Sequence, residues 1–173
     1  MHDLKYGAYL IIEILLRLCI NPRLRARLLS ILGADLGRNA RVYDCRFINL
    51  QRGFVNLSIG NDVHVGTDCL IDLAGPVRIG NGSVLSPRVT LISHSDAGEA
   101  HASPLSRRYP SEKNGVCIGA NCWIGAAATI LSGSVVGAGT VVGAGALVKG
   151  TLDGDSVYVG IPARRVDRVT GPA

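Results

Sequence analysis

The sequence predicts an all-β chain wound as a parallel β-helix, and two regularities carry that prediction. A branched aliphatic residue recurs at every sixth position, at Ile118, Ile124, Ile130, Val136, Val142 and Val148. A small residue follows four places behind each of the first five, at Cys122, Ala128, Ser134, Thr140 and Ala146. A period of six fits neither the 3.6-residue helical turn nor the two-residue pleat of one long strand. It fits a coil that turns a corner every six residues, which is the sequence signature of a β-helix. An ordinary α/β chain would need helices of about 10 residues or more between its strands. No segment between Ile59 and Val148 offers one.

The first 35 residues form a region of their own, a basic helical cap. Residues 1–52 hold nine Lys and Arg against four Asp and Glu, so nine minus four accounts for the whole net charge of +5. Tyr6–Ile20 is apolar but carries Glu13 and Arg17, and at 15 residues it is too short and too charged to span a bilayer. No small-residue cleavage site follows it, as a secretory signal would need. Pro22 breaks the chain, and Arg23–Leu32 reads as a second helix with Leu24, Leu28 and Ile31 on one face. Two readings of this region compete. It closes the open end of the coil, or residues 1–52 make peripheral contact with an anionic membrane surface at the inner face of the membrane. Nucleic acid is excluded, because the basic excess is modest, confined to one apolar stretch and not interleaved with aromatics.

The repeat domain covers residues 36–168, with a tail at 169–173. Leu36, Val42, Ile48 and Phe54 read as a faint first run. Ile59, Val65, Ile71 and Val77 keep the register, and a two-residue slip leads to Ile79, Leu85 and Leu91. The register then vanishes in an insert, 92–117, that holds His94, Asp96, Glu99, His101, Arg107, Arg108, Tyr109 and Lys113. A long polar insert in a regular solenoid is where chemistry is expected. The five cysteines include no CxxC pair, and Cys69 and Cys122 fill the small-residue slot, so they are read as core thiols of a cytoplasmic protein. Charged residues make up 18% of the chain against a usual share of about 25%, so some flat outer faces are expected to be covered by another subunit.

These repeats, the segment Val89-Thr90-Leu91-Ile92-Ser93-His94, the segment Cys122-Trp123-Ile124-Gly125 and the late Val159-Gly160-Ile161-Pro162-Ala163-Arg164 resemble the hexapeptide-repeat acyltransferases. That family includes galactoside and maltose acetyltransferases and sugar O-acetyltransferases of bacterial surface-polysaccharide synthesis. The resemblance implies a left-handed parallel β-helix of hexapeptide repeats, a homotrimer with sites between subunits, and acetyl-CoA as donor with no metal. It implies acetyl transfer to a sugar hydroxyl, with His94 as the base that removes the acceptor proton. Asp68 matches an acceptor-binding position. Asp72 and Asp96 are grouped with the acceptor side and compete as the carboxylate that orients His94. For the coenzyme the matching positions are Gly125, Ala126, Gly143 and Ala144, with Trp123 near the thioester. Lys149, Arg164, Arg165 and Arg168 are candidates for its polar groups, since guanidinium suits phosphate.

Three alternatives stay open: an N-acetyltransferase of an amino sugar nucleotide, a metalloenzyme like the β-helix carbonic anhydrases that uses His64, His94 and His101, and a non-catalytic scaffold.

Overall fold

A computed structural model describes residues 2–169, so residues 170–173 of the expected tail lie outside the described residues. Two helices open the chain, α1 (His2–Arg17) and α2 (Pro22–Ile31). Asn21 starts the second by accepting the backbone N–H groups of Arg23 and Leu24 on its side chain, while Pro22 occupies a first-turn position where no N–H is needed.

Six turns of coil follow. The first is β1 (Asp35–Leu36), β2 (Arg41–Val42) and β3 (Cys45–Ile48); the second is β4 (Leu57–Ile59), β5 (His64–Val65) and β6 (Cys69–Asp72). The third is β7 (Val77–Ile79), β8 (Val84–Leu85) and β9 (Thr90–Leu91); the fourth is β10 (Val116–Ile118), β11 (Trp123–Ile124) and β12 (Thr129–Ile130). The fifth is β13 (Ser134–Val136), β14 (Val141–Val142) and β15 (Leu147–Val148). The last is β16 (Thr151–Leu152) and β17 (Ser156–Val159), against which β18 (Arg164–Arg168) turns back antiparallel. Every third strand pairs in parallel, so the coil has three flat faces: β1-β4-β7-β10-β13-β16, then β2-β5-β8-β11-β14-β17-β18, then β3-β6-β9-β12-β15. This is the parallel β-solenoid the six-residue period demands, consistent with the left-handed β-helix that the resemblance implies.

The interior is as the period requires. Ile118, Ile124, Ile130, Val136, Val142 and Val148 are all buried, and so are Cys122, Ala128, Ser134, Thr140 and Ala146. All five cysteines are free thiols, with Cys45, Cys69 and Cys122 buried. Burial pushes the Cys69 thiol up to about 11 and raises Cys122 too, so neither is a nucleophile at neutral pH.

Two parts of the register differ from expectation. In the first turn Phe47, not Ile48, points inward and pairs with Ile71, because the corner Tyr43–Asp44 is one residue shorter than the corner below it. Phe54 is also fully buried, packed edge-on at 5.5 Å against Phe47 and at 6.2 Å against Tyr9 of α1. The slip at Val77 and Ile79 is one strand with both residues inward, reached after a lengthened corner over 73–76.

The cap packs by a different face than the apolar spacing implied. In α2 the buried residues are Arg25, Ala26 and Leu29, whereas Leu24 and Ile31 are exposed. Arg25 is buried because its guanidinium donates to the carbonyls of Leu16, Arg17 and Cys19, at and just past the end of α1, and to that of Val42. Glu13 is buried with its carboxylate on the Phe47 N–H, and Arg17 pairs with Asp44 at 3.2 Å.

Candidate functional site

The insert leaves the coil after β9 and returns at β10 in perfect register, Val116 beside Val77 and Ile118 beside Ile79. Its neck is pinched by a two-way backbone bridge between Ser95 and Glu112. His94 stands at that neck.

The lengthened corner after β6 lies directly beneath. There Asp72 ends a strand with its side chain fully buried, an expensive position for a carboxylate unless every lone pair is used. They are used. Oδ1 accepts from Asn49 Nδ2 at 2.8 Å and the Ala74 N–H at 3.0 Å. Oδ2 accepts from the Ser93 N–H and hydroxyl, both at 2.8 Å, from the His94 N–H at 3.1 Å, and from His94 Nδ1 at 2.6 Å. Burial works to raise the Asp72 pKa, but the hydrogen bonds from Asn49, His94, Ala74 and Ser93 outweigh it and hold the carboxyl below its ordinary range. An ionised carboxylate only accepts, so Nδ1 carries the proton and Nε2 of the neutral ring is left as a base.

The imidazole is about one quarter exposed and lines a cleft of about 370 Å³ together with Asn49, Gln51, Glu99, Ser111 and Lys113. Such a ring can take a proton from a hydroxyl in the cleft.

The other expected residues are distributed as follows. Asp96 lines the same cleft but does not touch His94; it accepts the N–H groups of Gly98 and Glu99, which hold its pKa low. Asp72 is sealed from solvent, so it cannot meet an acceptor as the grouping with Asp68 and Asp96 implied. Asp68 is exposed at a left-handed corner position, φ +57, in a different cleft with Arg17, Asp44 and Arg46. His64 packs against Tyr43 on another face, ring centroids 4.9 Å apart and tilted by 43°, and His101 lies out on the insert. Among the described residues no three His, Cys, Asp or Glu side chains form a group that could hold a metal.

Gly125 and Gly143 sit on the corner between the second and third faces. Their N–H groups are used inside the coil, on Val142 O at 2.7 Å and Tyr158 O at 2.8 Å. Gly125 must lack a side chain, since a Cβ would lie 2.5 Å from Ala144 N. Among the described residues the N–H groups of Ala126 and Ala144 have no hydrogen-bond acceptor, so these two, not the glycines, present donors on that corner. Lys149 is exposed. Trp123 is 56% exposed, with its indole N–H on Ser86 Oγ at 3.0 Å. It shares a groove of about 1050 Å³ with Arg165 and Arg168, while Arg164 bonds back to the Ala163 carbonyl. This larger groove does not include His94. The sequence reading missed Asn49, which stands in no motif, and gave no role to Ser93, although its place directly before His94 in the quoted segment was a signal.

Residues 116–150 match the family model described as bacterial transferase hexapeptide (six repeats). Among solved structures, the chain is similar to a hexapeptide-repeat acetyltransferase from Vibrio cholerae complexed with acetyl-CoA, at 21% identity over 96% of this chain and 90% of that one, TM-score 0.77. It is similar to a maltose O-acetyltransferase from Clostridium difficile, 24% identical over 85% and 75%, TM-score 0.66. An N-acyltransferase from Bacillus cereus, in complex with dTDP and 3-hydroxybutyryl-CoA, is 21% identical over 80% and 73%, TM-score 0.64. Likeness at this level of identity establishes a shared fold. The repeat match over residues 116–150 and the shared fold both agree with the hexapeptide-repeat resemblance of the sequence.

Proposed function

We propose that this protein is an acetyltransferase that moves the acetyl group of acetyl-CoA to a sugar hydroxyl, with His94 as general base. The observation that carries the reading is the imidazole at the insert's neck, tied through Nδ1 to a buried, fully bonded Asp72 at 2.6 Å. Nε2 accepts the hydroxyl proton as the oxygen attacks the thioester carbonyl carbon. The C–S bond then breaks, and the departing thiolate takes the proton back from the imidazolium. Charged Asp72 favours the imidazolium that forms in between.

The donor is supported by the fold shared with the Vibrio cholerae acetyltransferase complexed with acetyl-CoA and by the unused N–H groups of Ala126 and Ala144, which suit the amide carbonyls of a pantetheine arm. Arg165 and Arg168 suit its phosphates. Asp68 and Asp96, both exposed, remain acceptor-side candidates. His94 and the Ala126–Ala144 corner lie at different corners of one coil, which favours a homotrimer whose sites form between neighbours. Polysaccharide assembly in the cytoplasm is the setting this reading asks for, and the free thiols suit it.

A second reading, acyl transfer to the amine of a nucleotide-linked amino sugar, is favoured by the fold shared with the Bacillus cereus N-acyltransferase. Incubation with acetyl-CoA and a panel of hydroxyl and amino sugars, followed by thiol release, tests both. Turnover on hydroxyl sugars is expected. Turnover on amino sugars alone would replace the first reading with the second, and no turnover on any sugar would discard both.

A further inference from the structure

We propose that the outward faces of α1 and α2 dock the protein on an anionic lipid bilayer, a role separate from the transfer reaction. A helix on a water-facing surface normally turns its polar side outward. Here the reverse holds. Along α1 and the turn that ends it, Ile11, Ile14, Leu15 and Leu18 are 59–73% exposed, while Glu13 and Leu16 face the coil and are buried. On α2, Leu24 and Ile31 are 48% and 81% exposed. A wholly apolar cleft of about 220 Å³, which includes Leu15, Leu28 and Ile31, joins the two helices into one surface. Contiguous exposed apolar area of this kind marks an interaction site.

Charge identifies the occupant. Beside the apolar arc, Arg23, Arg27 and Arg38 line a cleft of about 530 Å³ with Ser30. Among the described residues none of the three forms an ion pair, and α2 contains no acidic residue. Three guanidinium groups around one cleft suit phosphate oxygens, and an apolar arc flanked by arginine is the pattern of a helix lying in the headgroup region. A second copy pairing through the same face would bring its own arginines against these, with no acidic residue in α2 to offset them. No helix among the described residues is long and apolar enough to cross a membrane, so the docking is peripheral.

The test is co-sedimentation of the full chain with vesicles of phosphatidylcholine alone and of phosphatidylcholine with phosphatidylglycerol. Binding is expected to the second and not to the first, and to weaken with added salt. Arg23→Glu with Arg27→Glu should lower it by about fivefold or more per arginine. Ile14→Asp with Leu18→Asp should abolish it, and since all four side chains are exposed the melting temperature should hold in both variants. Equal binding to both vesicles, binding to neither, or binding indifferent to both pairs of substitutions would overturn the proposal. So would a change of oligomeric mass in Ile14→Asp with Leu18→Asp while vesicle binding persists, because a second copy would then own the face. Both variants should retain full transfer to a soluble sugar, so a failed docking leaves the catalytic reading standing, and the reverse.

Discussion

A single buried carboxylate organises the candidate site. Asp72 accepts six hydrogen bonds from four residues, and the one from His94 Nδ1 fixes the ring that faces the cleft. Asp72→Asn would set an amide against donors that need an acceptor. The expected result is a loss of about 2 kcal/mol or more in urea unfolding and a fall in kcat of about a hundredfold, because the ring loses its fixed tautomer. The pH dependence follows from the lowered pKa. A carboxyl whose folded pKa lies below its ordinary value of 3.8 stabilises the fold fully above that value, and the contribution is lost as pH falls through the folded pKa. The stability gap between the natural protein and Asp72→Asn should therefore be constant near neutrality and narrow only in acid below about pH 4. A gap that narrows between pH 6 and 8 would mean that Asp72 is not the group concerned. At this scale His94 was legible from its place at the break in the repeat. The choice of Asp72 over Asp96 was not, because it depends on which corner of one turn lies under the exit of the next. Asn49 sits 23 residues before Asp72 and meets it only once those corner lengths are known.

At the scale of the element, adjacent turns approach so closely that certain positions admit no side chain. A Cβ on Gly80 would lie 2.5 Å from Ala120 N, a backbone atom of the next turn that cannot swing aside. Gly80→Ala is expected to cost about 1–3 kcal/mol by thermal or urea unfolding, although alanine ordinarily stabilises a chain relative to glycine. Ile130→Ala, at a position with no exposure, should cost about 2–5 kcal/mol. Neutral outcomes at both positions would contradict the packing described. The period of six made these interior positions readable from Ile59 to Leu91 and from Ile118 to Val148, on either side of the insert. It failed where a corner changed length, as at Tyr43–Asp44, where Phe47 replaced Ile48. Helical apolar spacing likewise misplaced the buried face of α2, where Arg25 is buried because the end of α1 supplies carbonyls that a hydrophobic pattern does not reveal.

On the scale of the molecule, three faces and three corners divide the work. His94 stands at the corner between the third and first faces, and the donors Ala126 and Ala144 stand between the second and third. A site that unites them across a trimer makes a distinct prediction about mixed assemblies. His94→Ala lacks the base, and Ala144→Trp fills the donor corner at an exposed position, so each alone should be inactive. Trimers assembled from both at equal ratio should recover about one quarter of the natural activity, the chance that neighbouring subunits supply both intact halves. No recovery would place the whole site on one chain. The repeat foretold the solenoid and the apolar N-terminal stretch its two short helices, whereas the pairing of one corner with another across a proposed trimer lies in surface geometry that no repeat encodes.

The most direct measurement compares the steady-state transfer of His94→Ala with its affinity for coenzyme A by calorimetry. The expected kcat is lower by about a hundredfold to ten-thousandfold, with coenzyme affinity and oligomeric mass unchanged. Full transfer by His94→Ala would contradict the role of His94 as general base.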